Sequence, residues 1–113
     1  MALVRSEHRH ARIACTKVNR LLPVIRGKEV GESLELLKAF PNRAARMVEA
    51  VIQTAAANAA NAGVRNVEKL KIVEAVANGG PMFKRIRPRA RGMAFLERHR
   101  SSHIRIGIEA PEL

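Results

Sequence analysis

Aromatic residues are scarce in this sequence, which has no Trp, no Tyr and only Phe40, Phe83 and Phe95. Sequence-specific recognition of single-stranded nucleic acid depends largely on aromatic side chains that stack on bases. A chain with so few rings is poorly equipped for that mode. If it binds nucleic acid, we expect it to recognise shape and backbone.

Cysteines and long apolar stretches are also scarce. Cys15 is the only cysteine, which excludes an internal disulfide and a CxxC metal site and fits a reducing compartment. No apolar stretch approaches the length of a membrane span, and the first residues lack the apolar core of a signal peptide. The sequence therefore predicts a cytoplasmic protein with no membrane partner.

Signatures of catalysis are missing as well. The sequence contains no Walker loop, no nucleophile elbow, no H-E-x-x-H and no paired-carboxylate site. Two histidine pairs, His8 with His10 and His99 with His103, have metal-like spacing, but no cysteine or carboxylate cluster joins them. We predict that the protein is not an enzyme and has no catalytic residue, metal or cofactor.

Acidic residues are few, at 10 against 21 Lys and Arg, so the net charge is +11. The excess lies at the two ends: residues 1–28 carry seven cations and one acid, and residues 75–113 carry eight cations and three acids. Residues 29–74 carry six of each. This distribution predicts a neutral packing core between two surfaces for a polyanion, with nucleic acid ahead of an acidic membrane surface.

The hydrophobic pattern predicts an α+β fold in a single domain over residues 1–113. Apolar residues at helical spacing predict three helices, at about 16–26, 31–39 and 41–62. Pro23 lies inside the first, where it removes a hydrogen bond, so we expect a kink or a late start there. The third helix is predicted to turn one apolar face inward, and its alanine-rich second half suits close approach to a sheet. The residues of that face are Ala44, Val48, Val51, Ile52, Ala55, Ala59 and Ala62.

Alternating apolar residues predict a small antiparallel sheet. One strand should cover 67–78 and another 103–109, and a weaker pattern over 2–13 permits an edge strand. The predicted inward positions are Leu70, Ile72 and Val76 on the first strand and Ile104, Ile106 and Ile108 on the second. The three helices are predicted to pack on this sheet.

A long protruding β-hairpin is expected at about residues 76–103. If 70–78 pairs antiparallel with 102–108, the turn falls between Pro88 and Gly92, and each arm extends about 30 Å at about 3.3 Å per residue. An isolated two-stranded ribbon is marginal in water, so a partner should hold it. Phe83 and Phe95 occupy arm positions where they could pair across the hairpin.

The hairpin is the most basic part of the sequence. Five cations fall within eight residues without an acid among them: Lys84, Arg85, Arg87, Arg89 and Arg91. The four arginines share one parity, so an extended strand would place them on one side. Phosphates would relieve their mutual repulsion, and the arginine fork suits phosphate. The alternative interpretation is a solvated or disordered basic loop.

Further candidate RNA-binding residues flank the hairpin in sequence. The first 28 residues offer Arg9, Arg12, Lys17, Arg20 and Lys28, and the returning arm offers Arg98, Arg100 and His103. Lys17 and Arg20 lie on one side of the predicted first helix, away from its apolar stripe. An ordinary polar helix face is the alternative for these two.

The segment G-P-M-F-K-R-I-R-P-R-A-R-G at 80–92, followed by S-S-H-I-R-I-G-I at 101–108, resembles the large-subunit ribosomal protein family numbered twenty-two in bacterial naming. The stretches H-R-H-A-R-I-A-C-T-K-V, V-I-R-G-K-E-V and R-A-A-R-M-V-E-A-V occur in the family's order and spacing. The resemblance covers about residues 8–109. Met93 and the Phe95–Glu97 segment depart from the family's pattern, so the returning arm is expected to face its neighbours differently. Pro23 also departs, at a position where the family usually has an ordinary helix former.

The resemblance implies a structural constituent of the large ribosomal subunit. It implies binding to large-subunit ribosomal RNA, contact with neighbouring ribosomal proteins, and a role in early assembly. It also implies that the hairpin lines the nascent-peptide exit tunnel, with tip residues Met82, Arg87, Pro88, Arg89, Ala90, Arg91 and Gly92. A free-standing RNA-binding or RNA-chaperone protein is the alternative function.

Overall fold

The computed structural model describes residues 2–110 and has the predicted α+β fold. The helices are α1 (Cys15–Asn19), α2 (Leu22–Ile25), α3 (Val30–Lys38) and α4 (Arg43–Asn61). The strands are β1 (Ala2–Ala11), β2 (Ile72–Gly79), β3 (Phe83–Pro88), β4 (Ala94–His99) and β5 (Ser102–Ala110). Short 3-10 turns occupy Val67–Lys69 and Ala90–Gly92.

The first predicted helix is broken into α1 and α2, as Pro23 led us to expect. Arg20 and Leu21 separate the two pieces, and Pro23 is the second residue of α2. Proline has no N–H to donate to the preceding turn, and it is tolerated in the first turn of a new helix. The break therefore lies where the missing hydrogen bond costs least.

The body contains a three-stranded antiparallel sheet in the order β1-β5-β2. Ile72 pairs with Ile108 and Gly79 with Ser102, which confirms the predicted pairing of 70–78 with 102–108. The alternating isoleucines of β5 are fully buried. They face the helices, of which α4 packs on β1 and β5.

The predicted inward face of β2 is wrong after Ile72. A bulge between Ile72 and Glu74 shifts the register, so Ala75 and Ala77 are buried and Val76 is only half-buried. A bulge puts an extra residue into one strand and reverses the parity that follows it.

The long helix α4 supplies much of the core. Its buried face includes Val48, Val51, Ile52, Ala55 and Ala59, at the predicted positions. Ala62 was also predicted to be inward, but it follows the end of the helix and is exposed. The small alanines of the second half let the helix approach the sheet closely, as the sequence indicated.

Strands β3 and β4 form a separate two-stranded antiparallel sheet, here called the ribbon. It elongates the molecule to 64 × 25 × 18 Å, with a radius of gyration of 17.2 Å where a compact chain of this length would have about 13 Å. Every residue of β3 is exposed. Within residues 2–110, no helix is both long and apolar enough to span a bilayer.

Candidate nucleic-acid interface

The ribbon leaves the body through a small set of fixed contacts. The Gly80 N–H donates to the Ser101 carbonyl oxygen at 2.9 Å, and Ser101 Oγ donates to the Pro81 carbonyl oxygen at 2.6 Å. The His10 N–H donates to Nδ1 of His103 at 3.1 Å, and the two rings meet edge to face at 5.0 Å. The first two contacts join the arms of the ribbon to each other, and the third joins the start of β5 to the end of β1.

Gly80 is held where no side chain fits without movement. A Cβ built there would lie 2.7 Å from Ser101 Oγ and 3.2 Å from the His103 ring. His103, predicted to bind RNA, is half-buried and uses Nδ1 within this contact set. The structure therefore gives His103 a role in fixing the ribbon.

A basic groove of about 950 Å³ opens between the base of the ribbon and the body, and we call it the base groove. Among the described residues that line it, none is acidic and six are Lys or Arg: Arg12, Lys17, Arg43, Arg85, Arg98 and Arg100. His10, Phe83 and His99 also line it. Five of the six cations were predicted from the sequence to bind RNA, and the fold brings them together.

The wall formed by the body is built from three separate segments. Arg12 follows β1, Lys17 lies in α1, and Arg43 opens α4. The Arg43 guanidinium donates to the backbone oxygen of Arg12, which fixes the start of α4 against the end of β1. Sequence reasoning missed Arg43 because it lies in the electrically neutral middle of the chain, and only the fold carries it to the groove.

The ribbon has two chemically different faces. One, here called the aromatic face, carries both aromatic and charged side chains: Phe83, Arg85, Arg87, Phe95, Glu97 and His99. The other, the aliphatic face, carries Lys84, Ile86, Pro88, Ala94, Leu96 and Arg98. The aromatic face supplies Phe83, Arg85 and His99 to the base groove.

Arginines cover the rings of the aromatic face. The Arg85 guanidinium carbon lies 5.7 Å from the Phe83 ring centroid, and that of Arg89 lies 5.9 Å from the Phe95 centroid. Phe83 is opposite His99, and Phe95 is opposite Arg87. The two phenylalanines therefore do not pair across the strands as the sequence suggested.

The predicted one-sided row of arginines holds for Arg85 and Arg87 on β3 and for Arg89, whose guanidinium lies over the Phe95 ring of the same face, but not for Arg91. Arg91 lies in the Ala90–Gly92 turn with a φ of 64°, where strand parity no longer applies. Met82, grouped with the tip by resemblance, precedes β3 and lies at its base end. The far end of the ribbon is formed by Pro88, Arg89, Ala90, Arg91 and Gly92, next to Arg87.

The remaining predicted cations lie outside the base groove. Arg9 on β1 lies 3.8 Å from a Glu7 carboxylate oxygen, and Arg20 and Lys28 are exposed on the body. Arg26 instead donates twice to the Ala75 carbonyl oxygen, at 3.0 and 2.6 Å. Its charge is used to hold the end of α2 against β2.

Metal chemistry finds no support in the geometry. Over residues 2–110, no group of three or more His, Cys, Asp or Glu side chains is arranged to hold a metal ion. His10 and His103 instead contact each other at the base of the ribbon, and His10 and His99 line the base groove. The charged surface formed by the base groove and the ribbon suits a polyanion.

Comparison with known proteins gives consistent matches. A model of the family described as ribosomal protein L22p/L17e matches residues 6–109. A protein of Caldicellulosiruptor saccharolyticus named large ribosomal subunit protein uL22 is 51% identical over 104 residues, covering 92% of this chain and 85% of the relative. A protein of the same name from Rhodopirellula baltica is 46% identical over 113 residues, covering 96% and 95%. A third, from Aquifex pyrophilus, is 46% identical over 101 residues, covering 89% and 75%.

Proposed function

Because the chain belongs to the ribosomal protein L22p/L17e family, we propose that it binds large-subunit ribosomal RNA through the base groove and the ribbon. The proposal extends to a role in early subunit assembly and to a ribbon that lines the nascent-peptide exit tunnel. Family membership makes the chain a non-enzymatic structural constituent of the large ribosomal subunit. The bacterial relatives are ribosomal proteins, which supports the predicted cytoplasmic, ribosomal location.

The observation that carries the RNA proposal is the base groove. Six cations line it and no acidic side chain does, among the residues described. Like charges held together repel one another, and RNA phosphates remove that cost while they release counterions. Five of the six are arginines, whose planar guanidinium can make two parallel bonds to one phosphate.

The ribbon supports the same proposal because it has no apolar core of its own. Its β3 strand is exposed along its whole length, so it has no core of its own to hold it in place. A two-stranded ribbon without packing is marginally stable in water. RNA segments on both sides would hold it, and Lys84, Arg85, Arg87 and Arg98 would offset the repulsion between their backbones.

The tunnel proposal rests on the aliphatic face and the far end. Ile86 is 72% exposed, Met93 59% and Leu96 49%. These apolar side chains offer nothing to a phosphate, whereas a passing peptide can cover them. We propose that the nascent peptide contacts these apolar side chains and the adjoining far end of the ribbon, with neighbouring ribosomal proteins as further partners. The far end comprises Arg87, Pro88, Arg89, Ala90, Arg91 and Gly92.

The test is co-sedimentation of the tagged full chain with large ribosomal subunits through a high-salt sucrose gradient. Stoichiometric retention is expected. A variant with Arg12, Lys17 and Arg98 changed to Gln should be retained less. It should also have a shallower log–log salt dependence on ribosomal RNA, by about 0.7 to 0.9 per lost phosphate contact.

The matched control changes Lys38, Lys69 and Lys71 to Gln. These exposed lysines lie outside the base groove. Their replacement removes the same charge as the groove variant, so retention should stay close to wild type. Equal losses from both variants would mean that general charge, not the groove, drives binding. Wild-type protein left in the top fractions, yet binding unrelated RNA at low salt, would favour a free-standing RNA-binding protein.

A further inference from the structure

We propose that Phe83 stacks on an unpaired base of ribosomal RNA, so that the base groove takes a bulged or single-stranded segment instead of a continuous duplex. This inference rests on the proposed function and specifies the RNA structure that the groove accepts. It revises, at one position, the expectation that so few aromatic residues leave only shape and backbone to be recognised.

The position of Phe83 is the first argument. The side chain lines the base groove and is 61% exposed. Leaving an aromatic side chain in water forgoes the hydrophobic stabilisation that burial would give. An occupant with a flat apolar face would recover it.

The charges around the ring are the second argument. Arg85 lies over the ring at 5.7 Å, Arg98 and Arg100 line the same groove, and Arg12 and Lys17 form the opposite wall. Cations that follow a backbone, combined with an aromatic ring for the base, are the arrangement by which proteins bind single-stranded nucleic acid. His99, the cross-strand neighbour of Phe83, offers a second flat ring at the same level.

The structure of duplex RNA supplies the third argument. An A-form helix presents phosphates and 2′-hydroxyls to a protein and keeps its base faces stacked inside. A duplex in the groove would satisfy the cations and leave the Phe83 ring facing sugar and phosphate. An unpaired base satisfies both the ring and the cations.

Phe95 provides a matched control on the same ribbon. It lies on the aromatic face, is 51% exposed and has Arg89 over its ring at 5.9 Å. It does not line the base groove, so no cations of the body face it there. The local surroundings of Phe95 therefore resemble those of Phe83, and the two residues differ in that only Phe83 lines the base groove.

The experiment combines affinity with chemical probing of bases on large-subunit ribosomal RNA. Phe83→Leu should weaken binding by about fivefold to about a hundredfold, the usual loss for one stacked base. One or two unpaired bases protected by wild type should regain reactivity. Phe83→Tyr should keep both affinity and protection, and Phe95→Leu should leave the base-groove protections unchanged.

Three outcomes would overturn the inference in different ways. If Phe83→Leu leaves affinity within twofold and protections unchanged while wild type still binds, stacking is wrong and the proposed function stands. Arg85→Ala serves as the reference for the loss of one cation. If Phe83→Leu lowers the log–log salt slope as much as Arg85→Ala does, Phe83 merely positions cations. If wild type does not prefer ribosomal RNA to unrelated RNA, the proposed function and this inference both fail. Urea unfolding should be unchanged in both Leu variants, because each side chain lies outside the core.

Discussion

Arg87 and Glu97 form a diagonal ion pair across the ribbon, with Nε and Oε2 2.9 Å apart. In the strand register Arg87 faces Phe95 and Glu97 faces Arg85, so the pair connects neighbouring rungs. Glu97 is the only acidic residue between Glu74 and Glu109 in the sequence. It therefore places a negative charge on the face that we propose meets phosphates.

Changing Glu97 to Gln should tighten binding to ribosomal RNA. Arg87 would lose its carboxylate partner and become available to a phosphate, steepening the log–log salt slope by about 0.7 to 0.9. The lost ion pair is partly exposed to solvent, so its loss costs about 1 kcal/mol or less. Filter binding at several salt concentrations measures both changes. Glu35→Gln, an exposed acid on α3, is the charge-matched control, and an equal gain there would refute the explanation.

Replacing Arg85, Arg87, Arg89 and Arg91 with Ala should impair assembly of the large subunit while the body stays folded. The described side-chain contacts of these arginines remain within the ribbon, so the three-stranded sheet should not be affected. Subunit profiles from a strain that depends on the variant, together with circular dichroism of the purified protein, test both parts. A normal yield of large subunits would contradict the proposed role of the ribbon.

Gly80→Ala should destabilise the protein, whereas Gly79→Ala should not. The new Cβ at position 80 would come within 2.7 Å of Ser101 Oγ and displace it from the Pro81 carbonyl oxygen. Loss of that hydrogen bond costs about 1 kcal/mol. At Gly79 nothing lies within 4 Å of the Cβ. Urea unfolding of both variants measures the difference, and equal midpoints would show that Ser101 moves aside freely.

Truncation of two strand isoleucines should change the free energy of unfolding by very different amounts. Ile106 is fully buried in β5, and Ile86 is 72% exposed on the ribbon. Ile106→Ala removes core contacts and leaves a cavity, which should cost about 2–5 kcal/mol in the free energy of unfolding. Ile86→Ala should change it by about 0.5 kcal/mol or less. Should Ile86→Ala prove equally costly in the isolated protein, the ribbon would have to be packed against the body.

Periodicity predicted the elements whose environment is regular along their length. The three isoleucines of β5 and the apolar face of α4 are buried as expected, because neither element contains an extra residue that would shift its own side-chain periodicity. The face of β2 was wrong after Ile72 because a bulge inserts a residue. A parity argument from one strand cannot detect that, since the bulge depends on the partner.

The candidate site was predictable where its residues are close in sequence. The basic run from Lys84 to Arg91 was evident, as were the cations of the first 28 residues. Only the tertiary structure shows that Arg12 and Arg98 line one groove and that Arg43 lines it with them. Arg26 shows the converse, because this cation of the basic first 28 residues is hydrogen-bonded to the Ala75 carbonyl oxygen.

The central position of β5 has a consequence for how the chain folds during synthesis. Both β1 and β2 pair with β5, and Ala2 is matched with Ala110. Until Ser102–Ala110 have emerged, β1 and β2 have no partner in the sheet, and α4 lacks the buried isoleucines of β5 against which it packs. The sheet therefore forms late and through contacts between residues that are distant in sequence. Such contacts slow folding and leave an intermediate with exposed apolar surface that is prone to aggregate. An RNA that captures the basic N-terminal segment early would shorten that exposure.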